Sequence, residues 1–243
     1  MSKLAGKVAV ITGANQGIGK GIARACAAEG AKLALCARNG AKLEATAREL
    51  KAAGADVLAR PLDVTDEPGV DAFFEAVVKR FGRLDILVNN AGTFDGGRID
   101  ELPLAAWNNV LGACLTGTFL CSRRAFGLMK EQGGGRILNI GSISAQRPRE
   151  GSAAYAAAKF GVWGLTQATA LDGRPFGIVA SCLHPGNVLV ERRQDSGTES
   201  DNEPMMSVET IAAAALSMLT LPPHVNMLEA IVLPVEQEYL GRG

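Results

Sequence analysis

Tyr155 and Lys159 stand four positions apart in the stretch SAAYAAAKFGVWG, residues 152–164, where nearly everything around them is small. On a helix, residues i and i+4 share a face one turn apart, so the phenol and the ammonium converge on one small volume. Proton transfer is the chemistry such a pair can do. A free phenol has a pKa of about 10, too high for a base near neutrality, and a positive charge beside it favours the phenolate. The alanines keep the surface low, so other molecules can approach the two polar tips. A YxxxK spacing also occurs as a plain surface pair, so the rest of the chain has to supply the context.

A second chemical group is TGANQGIG, Thr12 to Gly19, which follows the first apolar run and opens a helix. Its glycines permit a tight turn, keep side chains out of the path of a pyrophosphate and let the helix pack close to a strand. The helix N-terminus favours anionic oxygens. The spacing is GxxxGxG, not the general GxGxxG. Arg38 ends the second apolar run, in LALCARN, where an acidic side chain would bind the free 2'-hydroxyl of NAD and a guanidinium suits the 2'-phosphate of NADP. No Asp or Glu occurs between Lys32 and Lys42.

Positioning these groups requires a scaffold, and the chain repeats one pattern, a short apolar run followed by an amphipathic stretch. KVAVIT precedes a helix over 17–30, AKLALCA one over 40–54, DVLARPL one over 66–81 and LDILVN a long one near 104–131. GRILNIG then precedes a helix over 152–172, GIVASCLH one over 207–220, and EAIVLPV closes the series. Successive βαβ units of this kind predict a doubly wound, parallel, seven-stranded α/β sheet with helices on both faces. The segment VERRQDSGTESDNEPMM, residues 190–206, breaks the rhythm. It follows a strand's carboxyl end, where open α/β sheets take ligands, and reads either as a substrate lid or as a solvated loop.

Composition narrows the function classes. The 243 residues are 47% apolar, enough to bury a core as one domain over 1–243. With 25 basic and 25 acidic side chains and no Lys/Arg block, the chain has no general attraction for nucleic acid. No signal-like start and no apolar run of ~18 residues is present, so the expectation is a cytoplasmic protein without a membrane partner. Five cysteines, with no CxxC spacing and all in apolar segments, point to buried free thiols rather than a disulfide framework or a zinc site. Only two histidines are available, so no metal site is expected.

TGANQGIG, NNAG at Asn89 to Gly92, and YxxxK at Tyr155 to Lys159 come in an order and at intervals that closely resemble the short-chain dehydrogenase/reductase family, in its single-domain, Rossmann-like branch. The resemblance runs from Lys7 through HPGNV, His184 to Val188. It implies that Gly13, Asn15, Gln16, Gly17, Ile18 and Gly19 line the phosphate and ribose site and that Asp63 and Val64 contact the adenine. Asn90, Ala91 and Gly92 would sit beside the ribose, and Pro185, Gly186 and Val188 beside the nicotinamide. Lys159 would also hydrogen-bond the nicotinamide ribose. Ser142, thirteen residues before Tyr155, matches the family's catalytic serine, which holds a substrate carbonyl oxygen and stabilises charge developing there; Ser144 is its nearby competitor. Arg38 makes NADP(H) the expected preference, with NAD(H) possible; the family further implies a small-molecule carbonyl or alcohol substrate and a homo-oligomer, tetramer or dimer, built through the helices near 104–131 and 152–172.

The chain departs from the family pattern in four places. A fourth catalytic residue, an Asn seven positions after a Trp, is replaced: Trp107 and LTGTF (115–119) are present, and the seventh position is Cys114. Asn108 and Asn109 lie on other faces of the helix. A thiol is a weak donor and acceptor, so a proton relay from Lys159 to solvent should suffer more than hydride transfer. Val190 stands where a Thr is frequent, and the chain ends in LPVEQEYLGRG without the usual double Gly. Moreover, Gln16 occupies the glycine-loop position that is basic in many NADP-preferring relatives. Two functions therefore stand open: an NADP(H)-dependent oxidoreductase interconverting a carbonyl and an alcohol, or a catalytically weak cofactor-binding or sensing protein of the same fold. Arg192 and Arg193 keep a 3-oxoacyl reductase as a minority option.

Overall fold

The computed structural model describes residues 2–191 and 203–239. Seven parallel strands form one sheet: β1 (Val8–Thr12), β2 (Lys32–Ala37), β3 (Val57–Pro61), β4 (Ile86–Asn89), β5 (Gly135–Ile140), β6 (Ile178–Pro185) and β7 (Glu229–Val232). Their spatial order is β3-β2-β1-β4-β5-β6-β7, so the chain winds outward from β1 in both directions. This is the Rossmann-like α/β fold the apolar runs predict, and each run lies within three residues of its element.

Alternation along the strands explains why both faces are covered. Ala9 and Ile11 point into a core shared with α1 (Gly17–Ala28), α2 (Gly40–Ala52) and α7 (Val208–Leu219). Val8 and Val10 point to the opposite core, under α3 (Glu67–Phe81) and α5 (Gly117–Glu131). β1 and β4 are buried along their whole length, whereas the edge strands β3 and β7 are half-exposed. The five cysteines are free and buried as expected. Burial pushes the thiols of Cys26, Cys121 and Cys182 up to about 12.

The long helix near 104–131 is not continuous. α4 (Leu104–Leu111) passes into a π turn, Gly112–Thr116, before α5 begins. Such a turn inserts a residue and re-aims the side chains after it. Gly117 closes it because a Cβ there would stand 2.4 Å from Val64 Cγ2. By length and composition alone the run Leu104–Glu131 could cross a membrane. It is instead a core helix: Leu120, Cys121, Ala125 and Met129 are buried against the sheet, and Arg123 and Arg124 pair with Glu67 and Asp71 of α3 at 2.5 and 3.6 Å. α6 (Ala153–Gly173) then packs beside it and against β6.

At the amino ends of the strands, Asp85 ties β1 to β4. It accepts from Val8 N at 3.0 Å, Lys7 Nζ at 3.0 Å and the Arg83 guanidinium at 2.6 and 2.8 Å. The opposite, carboxyl ends are left open for chemistry.

Candidate active site

β1 runs into Gly13 and then Gly17, both with positive φ (+64° and +52°), a conformation that side chains strain to adopt. The turn is stapled to the loop after β4. Thr12 Oγ1 accepts from Asn90 N and Ala91 N at 3.0 and 2.9 Å, and Asn90 Nδ2 donates to the carbonyls of Thr12 and Gly13 at 3.0 and 3.1 Å. The two adjacent asparagines thus do different work. Asn89 faces inward, donating to Ser122 Oγ and Asn139 Oδ1 at 2.8 and 2.9 Å, and Asn139 continues the chain to Thr166.

The N-terminus of α1 has no side-chain cap of its own. Its Gly17 N–H donates instead to the carboxylate of Glu191, at 3.0 Å to Oε2 and 3.4 Å to Oε1. An anion is therefore held where the helix dipole and free N–H groups favour a phosphate, so this end of the fold fits the pyrophosphate of a dinucleotide. Nothing local in the sequence signals the contact of Glu191 with Gly17, 174 residues away.

Beside this turn, Arg38, Arg60, Asp63 and Asp66 line a cleft of about 590 Å³. Asp63 Oδ1 accepts from Thr65 N and Oγ1 at 3.0 and 2.8 Å. Burial pushes its pKa up, but the two Thr65 bonds and the charge of Arg38 outweigh that and hold it below the usual carboxylate range. Val64 is buried against Gly117. The basic group missing from the glycine loop arrives from elsewhere: Lys42, in the first turn of α2, donates through Nζ to Gln16 Oε1 at 3.1 Å.

The residues expected to carry chemistry converge where β5 and α6 meet. Lys159 is buried, and its Nζ donates to Ile140 O at 2.7 Å, two residues before Ser142. The same ammonium lies 5.5 Å from the centroid of the half-buried Tyr155 ring, which meets Phe94 edge-on at 5.4 Å. Burial, the largest influence, pulls the Lys159 pKa down. Attraction to Tyr155, then to Cys114 and Cys182, more than reverses this and raises it, so the group is a cation at neutral pH. Ser142 caps the short 3-10 turn Ile143–Ala145, its Oγ accepting from Ser144 N at 3.1 Å. That bond uses a lone pair and leaves the hydroxyl proton free to donate. Ser144 thus supports Ser142 through its backbone.

Cys114 sits at the middle of the π turn, in the same cluster as Ala154, Ala158 and Tyr155. Its thiol bridges the loop after β4, accepting from Thr93 N at 3.4 Å and donating to Thr93 O at 3.2 Å. On the far side, Pro185 ends β6, and Gln237 Oε1 accepts from Asn187 N at 2.8 Å. A Cβ on Gly186 would collide with that amide oxygen. Val188 forms a bridge with Met206, and Arg149 pairs with Glu203 at 2.7 Å. Residues 192–202, which hold most of the expected lid together with Arg192 and Arg193, lie outside the described residues. Sequence patterns give no sign of Gln237, Arg149 or Lys42, and they mark Glu191 and Glu203 only as part of the segment 190–206, because each is brought in by a distant segment.

A family model described as short chain dehydrogenase matches residues 7–201. The chain belongs to the short chain dehydrogenase family. An uncharacterized oxidoreductase of Staphylococcus aureus (strain USA300) is 34% identical over 235 residues, 97% of this chain and all of that protein. The uncharacterized oxidoreductase YxjF of Bacillus subtilis (strain 168) is 40% identical over 205 residues, 83% of this chain and 80% of that one. Among solved structures, levodione reductase superposes with a TM-score of 0.86 at 30% identity, covering 95% of this chain and 96% of that chain. An alcohol dehydrogenase from the archaeon Thermococcus sibiricus, complexed with 5-hydroxy-NADP, gives 0.85 at 30% identity, covering 96% and 98%. Fold and family together make this short chain dehydrogenase an NAD(P)-dependent oxidoreductase.

Proposed function

We propose that the protein interconverts a small-molecule carbonyl and alcohol with NADP(H). The observation that carries this reading is the Lys159 ammonium, buried, bound to Ile140 O and set 5.5 Å from the Tyr155 ring, beside the turn that presents Ser142. The nicotinamide, when bound, supplies or accepts the hydride. Gly13, Asn15, Gln16, Gly17, Ile18 and Gly19 hold the phosphates and ribose, with Asn90, Ala91, Gly92, Pro185, Gly186 and Val188 toward the nicotinamide and Asp63 and Val64 toward the adenine.

In the direction of reduction, the Ser142 hydroxyl donates to the substrate carbonyl oxygen and stabilises the charge that develops on it. Tyr155 gives that oxygen its proton, and the Lys159 cation stabilises the negative charge that moves to the phenol oxygen. Oxidation runs the same steps backward. Arg38 meets the 2'-phosphate, with Lys42 beside Gln16 adding positive charge near the loop; the likeness to an enzyme solved with 5-hydroxy-NADP supports this preference. The chain acts as one catalytic domain in the cytoplasm and assembles as a homo-oligomer.

Replacing Tyr155 by Phe tests it. Turnover of a panel of ketones and alcohols should fall by roughly 10²- to 10⁴-fold while NADPH affinity, followed by nucleotide fluorescence, stays unchanged. Arg38→Asp should reverse the preference for NADPH over NADH. Tight NADPH binding by the wild type without turnover of any panel member would establish the sensing protein instead, and an undiminished Tyr155→Phe rate would remove Tyr155 from the chemistry.

A further inference from the structure

His184 is the last residue but one of β6, and none of it reaches solvent. Its Nδ1 lies 2.9 Å from the carbonyl oxygen of Ser142 and 3.3 Å from the amide nitrogen of the same residue. One ring atom therefore faces both main-chain polar groups of the residue whose hydroxyl enters the site. The neighbouring chain accommodates this approach: a Cβ on Gly141 would stand 2.5 Å from Nδ1, so a glycine is needed there. On the ring's other edge, Nε2 lies 3.4 Å from Glu229 Oε1 and makes no hydrogen bond among the described residues. Gln146 Nε2 donates to that carboxylate oxygen, and Gln146 Oε1 accepts from the Tyr239 hydroxyl. Trp163 closes the ring's surroundings edge-on at 5.7 Å.

We infer that His184 is a positioning residue: it fixes the main chain at Ser142, and with it the direction of the Ser142 hydroxyl. The inference rests on the reading of Ser142 as the hydroxyl that binds the substrate carbonyl. A side chain that only filled this volume would need no nitrogen here; the neutral ring's Nδ1 makes one bond to Ser142, donating to its carbonyl or accepting from its amide, and an apolar side chain would make neither, leaving the carbonyl with the Ala145 N–H alone. Burial, the largest influence, holds the His184 pKa below its ordinary value, against the Ser142 bond and Glu229, which push it up, and together with Lys159, which pushes it down. The ring is neutral near pH 7 and acts by hydrogen bonding.

Three variants read out the contact. His184→Asn keeps a polar amide atom close to the position of Nδ1, His184→Gln carries its amide toward the position of Nε2, and His184→Leu keeps neither. The Leu and Gln variants should lose roughly tenfold or more of kcat for ketone reduction, as misplacement of a reacting group does, with NADPH affinity unchanged. The Asn variant should recover to within about threefold of wild type on the same argument. Amide hydrogen exchange of the peptide spanning 141–144 should quicken in the Leu and Gln variants and return to the wild-type rate in the Asn variant. That measurement needs no turnover: if the wild type reduced no ketone, the functional reading would fall and exchange would still decide the place of His184. Should the Leu variant fail to fold, the Asn and Gln pair alone makes the comparison. Wild-type exchange in all folded variants, or rescue by Gln and not by Asn, overturns the inference.

Discussion

Two side chains at the candidate site, Glu191 and Cys114, each yield an expectation. Glu191 places a carboxylate on the Gly17 N–H, the group a pyrophosphate would also use. A negative side chain and a negative cofactor compete for one helix end, whose favourable interaction with a charge is worth about 1 kcal/mol. Glu191→Gln should therefore bind NADPH about fivefold more tightly by fluorescence titration; equal or weaker binding would make Glu191 a cap and nothing more. Cys114 holds Thr93 by two long sulfur contacts. Cys114→Asn supplies a stronger donor and acceptor at that place and should raise ketone turnover, measured by stopped-flow absorbance, whereas Cys114→Ala should cost about 1–3 kcal/mol in chemical denaturation. The YxxxK pair and the glycine turn could be picked out because their spacing is local, and Ser142 only through its match to the family's serine. The contacts of Glu191 and His184 could not, since their partners lie 174 and 42 residues away.

Elements carry a different lesson. The strands were readable because burial on both faces demands continuous apolar runs, and the helices because each must keep one apolar face. The π turn at Gly112–Thr116 was not, since a change of one residue per turn leaves almost no trace in an apolar sequence. The same scale sets the expected response to pH. Asp85 joins the starts of β1 and β4. Burial pushes its pKa up, but the bonds from Arg83, Val8 and Lys7 outweigh it and hold the carboxyl below its ordinary value. A depressed carboxylate contributes stability that is fully present above the unfolded pKa, about 3.9, and is lost as pH falls through the folded value. Asp85→Asn should destabilise by about 1–3 kcal/mol at pH 7, and thermal melts should show that difference shrinking below about pH 4. A difference independent of pH would mean that packing, not charge, is what Asp85 contributes.

For the whole molecule, exposed apolar side chains lie in several places, among them Ile99 and Leu104, the segment from Val225 to Val235, and the helices α5 and α6. Phe119, Phe160 and Leu171 stand 43%, 46% and 61% exposed on α5 and α6, the helices expected to form contacts between copies. Light scattering coupled to size exclusion should give a mass of two or four chains, and Phe119→Glu with Phe160→Glu should shift it to one. A monomeric wild type would show those faces to be merely solvated.

By itself the sequence determined the parallel sheet, the order of its elements and the pairing of Tyr155 with Lys159, because hydrophobic period and helical spacing are local properties of the chain. Only the tertiary structure decided which groups complete the site. It set Glu191 on Gly17, Lys42 on Gln16, the Cys114 thiol on Thr93 and His184 on Ser142. The physical reason is that hydrogen bonds form between whatever the folded sheet brings within about 3 Å, and separation along the chain carries no record of that closeness.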